Sequence, residues 1–144
     1  MRKFMLAVAV GALGAGVFAT SASAFDSHFT VVAKQTSGHR VGHNGFRFRE
    51  VLLDPHNRSD RVGHDRVTCR AKSRHRVKCH ALAHLNGEIG GRGDIRVVGD
   101  IDTGSGDNRL NVVGGTQQFN GVAGKVLVHR VNSRVNKLHF DLVR

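Results

Sequence analysis

After residue 24 the chain alternates apolar and polar positions with a period of two, and no window carries an apolar stripe at helical spacing. Period two sends successive side chains to opposite faces of an extended backbone, so the pattern predicts strands. "FTVVAKQ" opens the series. "FRFREVLLD" sets Phe46, Phe48, Glu50 and Leu52 on one face, with Arg47, Arg49 and Val51 on the other. "RVTCRA" and "RVKCHALAHL" follow, the second with Val77, Cys79, Ala81, Ala83 and Leu85 in phase. "GDIRVVGDID" alternates Ile95, Val97, Gly99 and Ile101 against Asp94, Arg96, Val98 and Asp100. "NRLNVVGG", "GVAGKVLVHRV" and "NKLHFDLV" complete the set, with Leu138, Phe140 and Leu142 turned inward.

These segments make about eight strands, separated by turn-forming clusters such as "LNGE", "TGSGDN" and "RVNSRVN". One apolar and one polar face per strand is the pattern of antiparallel sheet around a single core. Short consecutive links favour pairing in chain order. The expected fold is therefore all-β, an eight-stranded antiparallel up-and-down β-barrel. Closure removes exposed edges and leaves an interior filled by side chains, or able to hold one small ligand. A two-sheet sandwich satisfies the same alternation.

The chain's start stands outside this pattern. Arg2 and Lys3 precede an apolar run from Phe4 to Ala19, and Ala22-Ser23-Ala24 supplies a small-x-small cleavage signature. That is the plan of a secretory signal peptide over residues 1–24, leaving a barrel domain over 25–144. The run is short and rich in Ala and Gly for a membrane span, and no later stretch is apolar enough to be one. The expected location is secreted, or periplasmic where the host has an outer membrane. Of 22 Lys and Arg, two fall in the leader, leaving 20 against 11 Asp and Glu, a net charge of +9. A surplus of that size favours solubility and weak attraction to polyanions.

Two cysteines in an exported chain point to one disulfide. If Cys69 opposes Cys79 in a hairpin, Val67 opposes Ala81 and Ala71 opposes Val77, all in the apolar phase, with "KSRHR" as the loop. Two free buried thiols are the alternative. The glycine cluster in "RLNVVGGTQQFNGVAGKVLV" fits no phosphate cradle, because Gly124-Lys125 is followed by Val126 and no helix follows. It reads as strand geometry: Gly114 and Gly115 permit a turn, and Gly121 and Gly124 allow bulging or close backbone approach.

The same stretch, followed by "KLHFDLV", resembles the C-terminal half of the allene oxide cyclase and dirigent barrel superfamily. Members carry a turn of the form GGTG-x-(F/Y)-x-G-(A/V)-x-G between two barrel strands. "GFRFREVLLD", "VGHDRVTC" and "GRGDI" fall in the family's order, so the resemblance runs from about Phe29 to Val143, closest to small exported bacterial members. It implies an eight-stranded barrel, often a homotrimer, and either cyclase-type isomerase chemistry or stereoselective coupling of phenoxy radicals. The cyclases' first-strand carboxylate has no counterpart in "FTVVAKQTSG", their second-strand Asn is matched by Glu50, and the chain has no Tyr. Cys69 falls where the cyclases also carry a Cys. Most of the dirigent set of acidic residues, Arg and Tyr is missing too, so neither activity carries over directly.

Glu50 is the weak catalytic candidate. Among Phe46, Phe48 and Leu52 its carboxyl would lose solvation and rise in pKa, as a general acid or base requires. A rim ion pair with an Arg, or a shifted register, is the plainer reading. Asp54 shares its phase but lies in "DPHN", a turn, and is expected in solvent. Of the ten histidines, neither His80 and His84 nor His39 and His43 match a metal-binding spacing, and neither metal nor cofactor is implied. Arg70, Lys72, Arg74, Arg76 and Lys78 crowd one hairpin tip. Three readings of function follow. The first is an exported barrel binding a small, partly apolar ligand through Phe46, Phe48, Glu50 and Leu52. The second is a cyclase-like isomerase using Glu50. The third is a cationic protein that binds polyanions through its Arg70–Lys78 tip.

Overall fold

The computed structural model describes residues 24–144, in which eight strands follow one another around a closed antiparallel barrel. They are β1 (His28–Val41), β2 (Gly45–Leu53), β3 (Arg61–Ala71), β4 (Arg76–Asn86), β5 (Arg92–Asp102), β6 (Asp107–Gly115), β7 (Ala123–Arg130) and β8 (Val135–Val143). Each pairs with its neighbours in sequence, and β8 returns to β1 with Phe140 opposite Phe29. The ring has no free edge, which decides for the barrel over the sandwich. The leader expected over residues 1–24 lies, but for its last residue, outside the described residues.

Alternation sorts the strands as expected. Leu85, Ile95, Leu138, Phe140 and Leu142 turn inward and form one core with Val31 and Leu52. A second cluster of Val67, Cys69, Val77 and Cys79 sits towards the opposite end. Cys69 faces Cys79, Val67 faces Ala81 and Ala71 faces Val77, and the two cysteines are bridged. The strands differ from the expectation in length. β1 runs on through Val41, so His39 belongs to a strand, and only His43 lies in the turn.

The glycine cluster is divided differently from the expected turn. Gly114 and Gly115 are still in β6, where a register shift against β5 lets Val113 bulge outward. The turn proper contains a single 3-10 turn, Gln117–Phe119. Gly124 has φ +136°, and a Cβ there would collide with the Asp141 backbone oxygen on β8. Close strand approach therefore requires glycine at that point. Gln117 has φ +53°, the one non-glycine in the left-handed region among the described residues. It stands where the turn of the superfamily that this stretch resembles carries its third glycine.

That turn closes one end of the barrel. Phe119 has no solvent exposure and packs between Phe25, 5.8 Å away, and Phe29, 6.3 Å away between ring centroids. Phe29 in turn stacks on Phe140 at 4.8 Å. The other end carries the disulfide hairpin and stays open.

Candidate functional site

The open end leads into a cavity of about 370 Å³. Phe46 and Phe48 on β2, Ile101 on β5 and Val128 on β7 form apolar walls, and Arg130 and Arg134 stand at the rim. Glu50 and Asn136 lie at its floor and also line a smaller cavity of about 60 Å³ beneath. The smaller space is bounded further by Asp65, Leu110, Leu138 and Phe140. A ligand entering from solvent thus passes over aromatic and aliphatic side chains before meeting a carboxyl group.

That carboxyl does not stand alone. Asp65 on β3 is the direct cross-strand partner of Glu50 on β2. Both turn inward, at 6% and 3% exposure, as the only buried charged or polar residues among those described. The two carboxyls come within hydrogen-bonding reach, and the Asn136 side chain reaches Glu50 from β8. Oδ1 of Asp65 is buried without a partner. Burial pushes the Glu50 carboxyl above the ordinary range, against the opposing pull of hydrogen bonds from Asp65 and Asn136. Burial pushes Asp65 well above its ordinary value, and the Glu50 charge and the hydrogen bond between them push it the same way. Two carboxyls so placed share a proton rather than ionise together, and the raised titration belongs to the pair.

Other solved structures share this architecture. A pyocyanin demethylase superposes with a TM-score of 0.64 at 17% identity, over 81% of this chain and 99% of that one. The pterocarpan synthase dirigent protein GePTS1 gives a TM-score of 0.68 at 14% identity, over 94% of this chain and 96% of its own. The fold is that of the dirigent barrel. A second pterocarpan synthase dirigent protein, PsPTS1, superposes at 0.60 with 11% identity, over 80% of this chain and 91% of that one. No family model matches the chain, and no curated protein matches it in sequence.

Within this barrel the four residues singled out on β2 divide. Phe46, Phe48 and Glu50 line the mouth cavity. Leu52 faces the same way but lies in the core beneath, fully buried, and lines neither cavity. Glu50 has Gln35 and Asp65 as cross-strand neighbours, not the arginine that an ion pair would need. Asp54 is half-buried rather than fully exposed, and its Oδ1 accepts the His56 backbone N–H at 2.7 Å. Asp65 and Asn136 were open to the same parity count: Asp65 precedes Val67 and Cys69 by even steps, and Asn136 precedes Leu138 and Phe140 likewise.

The remaining candidates lie outside the barrel wall. His80 and His84 face outward on β4, and His84 Nδ1 lies 2.6 Å from Asp94 Oδ1. At the hairpin tip Lys72 pairs with Asp100 at 3.2 Å, while Arg70 and Lys78 sit opposite one another. The tip stands beside the mouth, whose wall includes Cys69, Val77 and Cys79 of the same hairpin.

Proposed function

We propose that the protein is an exported barrel that takes one small, partly apolar molecule into its mouth and presents it to the Glu50–Asp65 carboxyl pair. The observation carrying this reading is the position of Glu50, shared between the 370 Å³ mouth and the interior and backed by a second buried carboxyl. Phe46, Phe48 and Val128 would hold the apolar body of the ligand, and a carbonyl, ether or ring-nitrogen acceptor would receive the pair's hydrogen bond. The disulfide fits an oxidising location outside the cytoplasm. Barrels with the same fold, named as a pyocyanin demethylase and two pterocarpan synthase dirigent proteins, support a small-molecule ligand.

Native mass spectrometry of protein purified from its own host tests this, wild type beside Val128→Trp, which fills the mouth. The expected result is a small-molecule adduct on the wild type alone. An adduct equally abundant on both proteins would remove the mouth as its site.

A second reading, an isomerase, is favoured by the raised carboxyls themselves. A pair that holds one proton can give it to a ligand atom through Glu50 and take one back from another ligand atom as the isomerisation completes, which restores its starting charge. Glu50→Gln keeps the shape and removes the acid. Turnover of the captured ligand that persists in Glu50→Gln would rule this chemistry out.

A further inference from the structure

The outer face of β2 to β5 carries a groove of about 790 Å³ whose lining includes Arg47, Arg49, Arg66 and Arg96 and no carboxylate. Strand register explains their alignment. Ser37, Arg49, Arg66, Leu82, Arg96 and Gly114 succeed one another across β1 to β6 as direct partners. A parallel row runs His39, Arg47, Thr68, His80 and Val98. Adjacent strands lie about 4.8 Å apart, so Arg49 and Arg66 are one step apart and Arg66 and Arg96 two, about 10 Å.

Like charges set directly opposite each other destabilise a sheet. Here Arg49 faces Arg66, and the carboxylates nearest the groove are engaged elsewhere, Asp94 by His84 and Asp100 by Lys72. Arg96 also has a prepared seat. The β6 bulge brings Gly114 opposite it, and a Cβ at Gly114 would come within 2.7 Å of the Arg96 guanidinium. Absence of that side chain lets the guanidinium lie along β6 at the groove wall.

We infer that this face binds an anionic polysaccharide, laid across the strands with sulfate or phosphate groups on the arginine ladder. One isolated anion would occupy one or two of these arginines. A ladder repeating at about 5–10 Å matches anionic groups spaced along an extended polymer. Leu82 and Val113, exposed between the arginines, offer a surface to the C–H faces of sugar rings. Single-stranded nucleic acid is bound on aromatic stacking platforms, and this groove has no Trp or Tyr, while its one Phe, Phe48, belongs to the barrel's inward phase. This site is distinct from both the mouth and the hairpin tip.

Heparin, a sulfated polysaccharide, is the probe, bound to the full chain at a series of salt concentrations. In Arg49→Ser/Arg66→Ser/Arg96→Ser the slope of log affinity against log salt should fall by about one per arginine removed, about three in all. Arg74→Ser/Arg76→Ser, at the tip, should lower it by less than the ladder variant does. Backbone amide shifts of the wild type with a short heparin oligosaccharide should centre on β3 to β5, a readout independent of any variant. An unchanged slope in the ladder variant, shifts centred on the tip, or tighter binding of a single-stranded oligonucleotide of equal charge would each overturn the inference.

Discussion

Glu50 and Asp65 are direct partners across β2 and β3, with both carboxyls turned into the barrel beside Asn136. Opposed like charges cost stability on any sheet, and more where water is excluded. The pair is therefore tolerable only while it holds a proton. That places the site's acid-base behaviour in cross-strand register rather than in any local sequence motif.

The pH dependence of stability has a definite sign. Folding raises both carboxyls above their ordinary values of 3.8 and 4.5, chiefly through burial. Above those values the unfolded chain has released protons that the folded chain still holds, so this contribution to stability falls as pH rises, until the folded pair ionises. Asp65→Asn removes one of the titrations. Its melting temperature should exceed that of the wild type at neutral pH, and the difference should shrink towards pH 4. A difference that grows on acidification would contradict the buried shared proton.

Removing the cross-link should be felt locally. The loop closed by Cys69–Cys79 has a sequence separation of 10. Such a loop contributes about 2–3 kcal/mol in the chain-entropy account. Cys69→Ala/Cys79→Ala should lower the denaturation midpoint accordingly while retaining the strand signal in circular dichroism, since the larger core cluster lies elsewhere.

Phe119 offers the converse test at the closed end. Deleting a fully buried aromatic side chain typically costs about 3–5 kcal/mol. Phe119→Ala should reach that range, because Phe25 and Phe29 both lose a packing partner. Urea unfolding checks the value. A cost below about 1 kcal/mol would mean that the end is not sealed by this ring.

Gln117 predicts a gain. A left-handed backbone costs a residue bearing a Cβ about 1–2 kcal/mol, partly offset by the chain entropy that glycine loses. Gln117→Gly should raise stability by a few tenths to about 1 kcal/mol, visible as a higher melting temperature.

Much of the barrel was legible because parity is a strong code when one face is buried. Counting in twos outward from Cys69 and Cys79 gives the hairpin register, and the same count places Leu138 and Phe140 inside. The site was legible only in part. Glu50 stood out as a charge among phenylalanines, whereas Asp65, flanked by His64 and Arg66, looked like one more residue of a charged segment. Its meaning depends on which residue faces it, a relation between strands 15 positions apart in sequence. The arginine ladder was hidden for the same reason. Arg49, Arg66 and Arg96 are scattered along the chain and become neighbours only by hydrogen-bonded pairing through β3 and β4. The plug was missed because Phe119 lies in a turn, where alternation carries no information.

With Phe119 stopping one end, the barrel is a cup rather than a tube. A guest bound as proposed would leave by the door through which it came, past Phe46 and the rim arginines. Its leading end, whichever that is, would be the end that meets the acid.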